Sequence, residues 1–182
     1  MSKLLLFNKT INDTLFFKSA FAGGDLEEEK FNLDFFYTIN NNKKSVVGIE
    51  KSTFNYKGNV WDLNPDNNSE NKMIFDLNAN EYVFSPFRLK SNEQEINFKG
   101  TVRDSTFKNI DIDFTNVYLK SFLPTIDSLK LKGKLDGTVT IYQKEGVYGP
   151  KGNLSVKDFE INNFLSLTIH KHSLGGMKIV HD

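Results

Sequence analysis

Between Ser128 and Tyr142 the chain runs SLKLKGKLDGTVTIY, and its two parities are completely sorted. Leu129, Leu131, Gly133, Leu135, Gly137, Val139 and Ile141 are apolar or glycine, while Lys130, Lys132, Lys134, Asp136, Thr138 and Thr140 between them are polar. Side chains of a β-strand point to opposite faces in turn, so this pattern predicts an extended segment with one apolar and one wet face. At about 3.3 Å per residue the stretch would reach roughly 50 Å, far beyond the ~20 Å of a common strand. It must therefore bend. Gly133 and Gly137 lie on the apolar face, where a missing side chain lets a sheet curl or a backbone approach closely. The spacing predicts a curved strand or two strands meeting there; a tight hairpin at Asp136-Gly137 is the rival, because that pair suits a type I′ turn.

The rest of the chain repeats the theme. Leu4 to Phe7 and Leu15 to Lys18 predict short strands around a turn at Asn8 to Thr14, and Gly23-Gly24 breaks the chain. Phe31, Leu33, Phe35, Tyr37 and Ile39 alternate, as do Phe54, Tyr56, Gly58 and Val60 in a run from Thr53 to Trp61. Asn64 to Asn68 is the strongest turn signal. Alternating runs then follow around Met73, Tyr82, Ile96 and Ile110. Val117 to Asp127 is the one candidate for a short helical crossing, limited by Pro124. From Gly152 to Ile161 the apolar parity slips at Asp158, which predicts a bulge or bend. These signals predict an all-β chain with at most one short helix: a sandwich, a barrel or an elongated sheet. Residues 1–182 form a single β-rich segment, with 168–182 a tail outside the pattern.

Composition narrows the functions. With 23 basic and 23 acidic residues the net charge is zero, so nothing draws nucleic acid by bulk electrostatics. The absence of Cys excludes disulfides and thiolate metal sites. The apolar run at Leu4 to Phe7 is too short for a secretory h-region, and no run is long enough to span a membrane. The expectation is a cytosolic protein or a piece of a longer chain. His170 and His172 share a strand parity and His181 follows, a workable metal-ligand set that more simply lies solvated. Asp111 and Asp113, like Lys130, Lys132 and Lys134, fall on wet faces. No nucleophile elbow, phosphate-cradling glycine loop or zinc-helix motif is present, which argues against an enzyme and against a cofactor.

Three segments carry a family likeness: FKGTVRD (98–104), NIDIDFTNVYLKSFLPTIDSLKLKGKLDGTVTIYQ (109–143) and GPKGNLSVKDFEI (149–161). In order they give a G-x-L-x-G strand, a Pro-containing loop and a G-x-L-x-V-x-D strand. Upstream, STFNYKGNVWDLNPDNN (52–68) and KMIFDLNANEYVFSPFRLKSNEQEINFKG (72–100) add a Trp, an Asn-Pro turn and a Q-x-I strand. From about Leu15 to Leu167 the chain resembles the TamB-type translocation and assembly module proteins of Bacteroidetes-like bacteria, within the AsmA-like group. The resemblance implies an internal fragment of an inner-membrane-anchored, periplasm-spanning protein, built as an elongated sheet curled into a trough. It further implies a role in outer-membrane assembly and phospholipid transfer, with phospholipid acyl chains and an outer-membrane assembly barrel protein as partners.

A sheet with one apolar face must cover it with a second sheet, by closing on itself, or with a ligand. In a trough, Leu129, Leu131, Leu135, Val139 and Ile141 would meet acyl chains, with Phe98, Val102, Leu154 and Val156 beside them. The alternative is a closed β-sandwich serving as a binding or adhesion module, in which these residues are core and Trp61 offers a sugar platform or packs beside Pro65.

Overall fold

The computed structural model describes residues 5–23, 29–121 and 129–163. Every ladder among them belongs to one antiparallel sheet of 13 strands. In chain order these are β1 (Leu5–Ile11), β2 (Thr14–Gly23), β3 (Glu29–Ile39), β4 (Ser45–Ile49), β5 (Ser52–Tyr56), β6 (Asn59–Leu63) and β7 (Lys72–Asp76). They are followed by β8 (Glu81–Ser91), β9 (Gln94–Arg103), β10 (Phe107–Tyr118), β11 (Leu129–Lys144), β12 (Val147–Tyr148) and β13 (Lys151–Asn163). The chain is all-β, as its alternation predicts. The helical crossing reduces to one 3-10 turn, Leu119–Ser121, because Val117 and Tyr118 complete β10; residues 122–127 lie outside the described residues.

Local turn chemistry sets the meander. Asn12 and Asp13 both take positive φ (45° and 58°), the type I′ geometry that matches strand twist, so the first hairpin turns in two residues and its strands run longer than predicted. Lys57 and Gly58 (48° and 73°) do the same. The single strand expected from Thr53 to Trp61 is therefore a hairpin, with Phe54 opposite Trp61.

That hairpin divides the sheet. The C-terminal half of β3 pairs β4, which pairs β7 and through it the start of β8; Phe31 and Asn32 of β3 instead pair β5, whose partner β6 reaches the end of β8. Two short ladders thus sit end to end between the same long strands. At their junction the buried Asn64 side chain donates to the carbonyls of Ile49 and Asn68, both at 2.8 Å, and accepts from the Asn68 amide (3.0 Å) and the Asn71 side chain (3.1 Å). Asn71 in turn accepts the Arg88 amide at 3.0 Å. The predicted Asn64–Asn68 turn is thus a hydrogen-bonded knot that satisfies the backbone where the ladders part.

The stretch from Leu129 to Lys144 is one strand of 16 residues, paired straight through Asp136-Gly137, which overturns the hairpin reading. It bends because its partners are bulged: β10 slips between Phe114 and Val117, and β13 slips opposite Lys132 to Lys134, where Asp158 takes φ 52°. The parity change at Asp158 is therefore a bulge. At Gly137 (φ +126°) an added Cβ would sit 2.0 Å from the Asn153 carbonyl oxygen, so the neighbouring backbone occupies the space of the missing side chain. Gly137→Ala is expected to lower unfolding free energy by roughly 2 kcal/mol or more in urea melts. Gly146→Asn, at a turn with open space and φ +80°, should change it by less than about 1 kcal/mol.

Candidate functional site

Residues directly opposite in an antiparallel ladder share a face, so the registers define the site. Phe98 opposes Phe87 on one side and Ile112 on the other, and Ile112 opposes Val139. Ile141 opposes Ile110, and Leu135 opposes both Val117 and Val156. Leu154 lies opposite Gly137, Val102 opposite Tyr82, and Leu131 opposite Ile161. Leu129 continues the same parity opposite Asn163; its side chain lies outside the described residues. All the predicted groove positions thus fall on one face. Those whose side chains are described are half-buried.

The face extends further than the sequence reading placed it. Phe17 stacks on Phe35 (ring centroids 4.9 Å), and Phe21, Phe31 and Phe54 stack in series at 4.7 and 6.0 Å across β2, β3 and β5. Phe87 stacks on Phe98 at 5.0 Å, with Phe84 beside both because a bulge after Phe84 returns Phe87 to the same side. Alternation of Phe31, Leu33 and Phe35 gave the local signal. That these phenylalanines share a face with Val139 depends on strand pairing, which no local pattern encodes.

Trp61 does not present a surface. It is 2% exposed and clusters with Ile96 and Val117, so the sugar-platform expectation is corrected and its place is the core. The 3-10 turn closes this end, with Ser121 accepting a hydrogen bond from the Asn59 side chain (3.5 Å), and Trp61 of β6 shares one cluster with Val117 of β10, although a flat sheet would hold strands three apart ~14 Å from each other. The sheet is therefore curled toward its apolar side. Buried Gln94 bounds the strip here, accepting from the Tyr118 amide at 2.9 Å. At the far end Lys108 donates to buried Gln143, whose amide donates to the Ser105 carbonyl (3.2 Å). Between those polar caps, Ile96 to Val102 spans about 20 Å of strand.

On β9, β10, β11 and β13 the opposite face is wet and internally paired, whereas across β2, β3, β4, β7 and β8 it carries Phe16, Phe36, Val46, Ile74 and Val83, with Val46 buried. Thr140 donates to Asp111 and Thr138 to Asp113, both at 2.7 Å, so the two carboxylates serve cross-strand hydrogen bonds rather than facing each other across a cleft. Lys132 pairs Glu160 and Lys134 pairs Glu93; Lys130's side chain lies outside the described residues. A cavity of about 330 Å³ on this face, lined by Tyr118, Lys120, Lys132, Lys134, Asp158 and Glu160, mixes cations and carboxylates. Asp136 ties β10, β11 and β13 together. Its carboxylate accepts the amide of Asn116 (2.9 Å) and pairs Lys157 (3.1 Å), and the Asn116 N–H foremost, with Lys157, holds it below the usual carboxylate range.

His170, His172, His181 and the 168–182 tail lie outside the described residues, among which no group of His, Cys, Asp and Glu is arranged to hold a metal ion. No helix among them is long and apolar enough to cross a membrane. The arrangement defines a class: a one-sheet β protein, curled over a half-open apolar face, rather than two sheets packed against each other. No family model, no curated protein and no solved structure matches the chain.

Because the folded-state value of Asp136 is depressed, its contribution is present above about pH 4 and is lost as pH falls through the lower folded value. Asp136→Ala, which also strands the Asn116 amide, is expected to cost about 2 kcal/mol near neutral pH and to flatten the acid limb of stability, read by urea melts between pH 2 and 7. Trp61→Ala is expected to cost ~3–5 kcal/mol, and the single Trp to emit in the blue, unquenched by soluble glycans, until the chain unfolds.

Proposed function

We propose that this chain is a non-catalytic segment of an envelope-biogenesis protein whose apolar sheet face carries phospholipid acyl chains between membranes, in the periplasm and as part of an inner-membrane-anchored parent. One observation carries the reading: a continuous apolar face runs across a single sheet, most of its members stay half-buried outside the Trp61–Ile96–Val117 cluster and Phe87, and no second sheet among the described residues covers it. The ordered motifs shared with TamB-type proteins support it, as does the curl. An acyl chain laid on the face gains about 0.8 kcal/mol per buried methylene, a non-directional attraction that holds a tail without fixing it in one place. Polar side chains at Gln94 and at Lys108 with Gln143 would confine tails to the strip, leaving head groups to water. Surface ion pairs on the outer face have little energy to offer a ligand and mainly keep that face solvated.

The test is mass spectrometry of organic extracts from the gently purified chain. Phospholipid is expected in the parent, and a loss of at least about tenfold in Val139→Thr with Ile141→Thr, which sets two hydroxyls on the strip, the first isosteric and the second one carbon smaller. Thr138→Asp with Thr140→Lys on the outer face should retain it. Circular dichroism reports whether each variant is folded. A parent that carries no lipid and leaves a fluorescent fatty acid unbound would overturn the reading.

A further inference from the structure

We propose that β1 is a docking edge for a second copy of this chain, which adds its own β1 antiparallel and in register about Asn8. Among the described residues Leu5–Ile11 pairs only β2, and all its side chains are exposed, Phe7 at 65% and Leu6 at 54%. A free edge offers a row of unpaired N–H and C=O groups, which proteins usually blunt with charge, Pro or a bulge. The other edge, β13, has such protection: Lys151, Lys157 and Glu160 along it and the bulge at Asp158. β1 has no Pro, keeps an unbroken register with β2, and carries Lys9 as its one charge.

The turn fixes which amides are free. A two-residue turn at Asn12-Asp13 makes Ile11 and Thr14 the hydrogen-bonded pair that closes the hairpin. By alternation Ile11, Lys9, Phe7 and Leu5 spend their backbone groups on β2, while Thr10, Asn8 and Leu6 direct theirs at the open edge. An incoming strand can bond only those three. With Asn8 opposite the partner's Asn8, Leu6 meets the partner's Thr10 and Thr10 the partner's Leu6, so every outward group is bonded on both copies. The same register sets Leu5 against the partner's Ile11 and Phe7 against the partner's Lys9, an apolar pair and a cation beside a ring. Sliding two residues one way opposes the two lysines; sliding two the other way sets Lys9 against the partner's Leu5 and gives up the Leu5–Ile11 pair. A one-residue slip points free amides at amides already used. The strand is thus self-complementary about its own centre, as an isologous two-fold contact requires.

Sedimentation velocity of the 182-residue chain over a concentration series tests this. A monomer–dimer equilibrium is expected, and Asn8→Pro should weaken it at least about tenfold while leaving the melting temperature unchanged, because the Asn8 amide faces away from β2. Phe7→Lys, which sets two ammonium groups against each other and spares every amide, should weaken it likewise and decides the matter if Asn8→Pro does not fold. Asn8→Cys in this cysteine-free chain should give a reducible covalent dimer on oxidation, whereas Leu77→Cys, in an exposed turn, should not. A chain that stays monomeric at every concentration, or dimers that survive both Asn8→Pro and Phe7→Lys, would refute the proposal.

Discussion

Among the described residues a single sheet with a broad apolar face has no second layer to hide it, and the rest of this structure follows from how that face is covered. Burying apolar area is the main favourable term available to such a chain. Among the described residues only Val46, Trp61, Phe87, Ile96 and Val117 are apolar side chains buried outright. The sheet gains cover by curling, and curling needs devices. Gly137 removes a side chain where the backbone of β13 comes close, bulges in β8, β10 and β13 turn strands without ending them, and Trp61 fills the tight end beneath the 3-10 turn. The Asn64 knot belongs to the same economy. Where two ladders abut between β3 and β8, backbone groups would be left without strand partners, and a set of asparagines takes them.

Much of this was legible in the sequence, for a physical reason. Side-chain alternation is a local property, so the strands, the long bent segment at Leu129 to Lys144 and the parity slip at Asp158 could each be seen without knowing any partner. What alternation cannot encode is who pairs with whom. Lys57-Gly58 continues the period-two pattern of Phe54, Tyr56 and Val60, and it hides a turn that sends Trp61 back against Phe54. The resulting hairpin reaches β8 and puts Trp61 in the core rather than on a sugar-binding surface. The groove residues on β11 were identified because they crowd one long stretch, and Phe98, Val102, Leu154 and Val156 because they alternate in the runs on either side of it. The phenylalanines of β2, β3 and β5 were overlooked because their membership in the same face depends on β3 and β8 each serving two ladders.

The two faces of the sheet divide most of the chemistry, with Phe16, Phe36, Val46, Ile74 and Val83 forming a small apolar patch on the otherwise wet side. On the wet face, charges find partners on adjacent strands, Lys18 with Asp34, Arg103 with Glu81 and Arg88 with Glu95. This pairing accounts locally for a chain of zero net charge, and it leaves no large field to steer an ionic ligand. Recognition must then come from the apolar side, where shape and area matter and donor–acceptor codes do not. A face of that kind distinguishes poorly among ligands with similar tails, which suits a conduit better than a receptor.

The order of pairing also carries a kinetic consequence. β1 to β4 and β7 to β11 pair with neighbours in sequence, so most of the sheet can zip from local hairpins with little loop-closure entropy. The exceptions are the β4–β7 ladder and the ladders of the β5–β6 hairpin to β3 and β8, which close longer loops. Two separately formed halves, one growing from each side, would therefore meet at the asparagine knot, making that seam the natural late step of folding and the first to part when the chain opens locally.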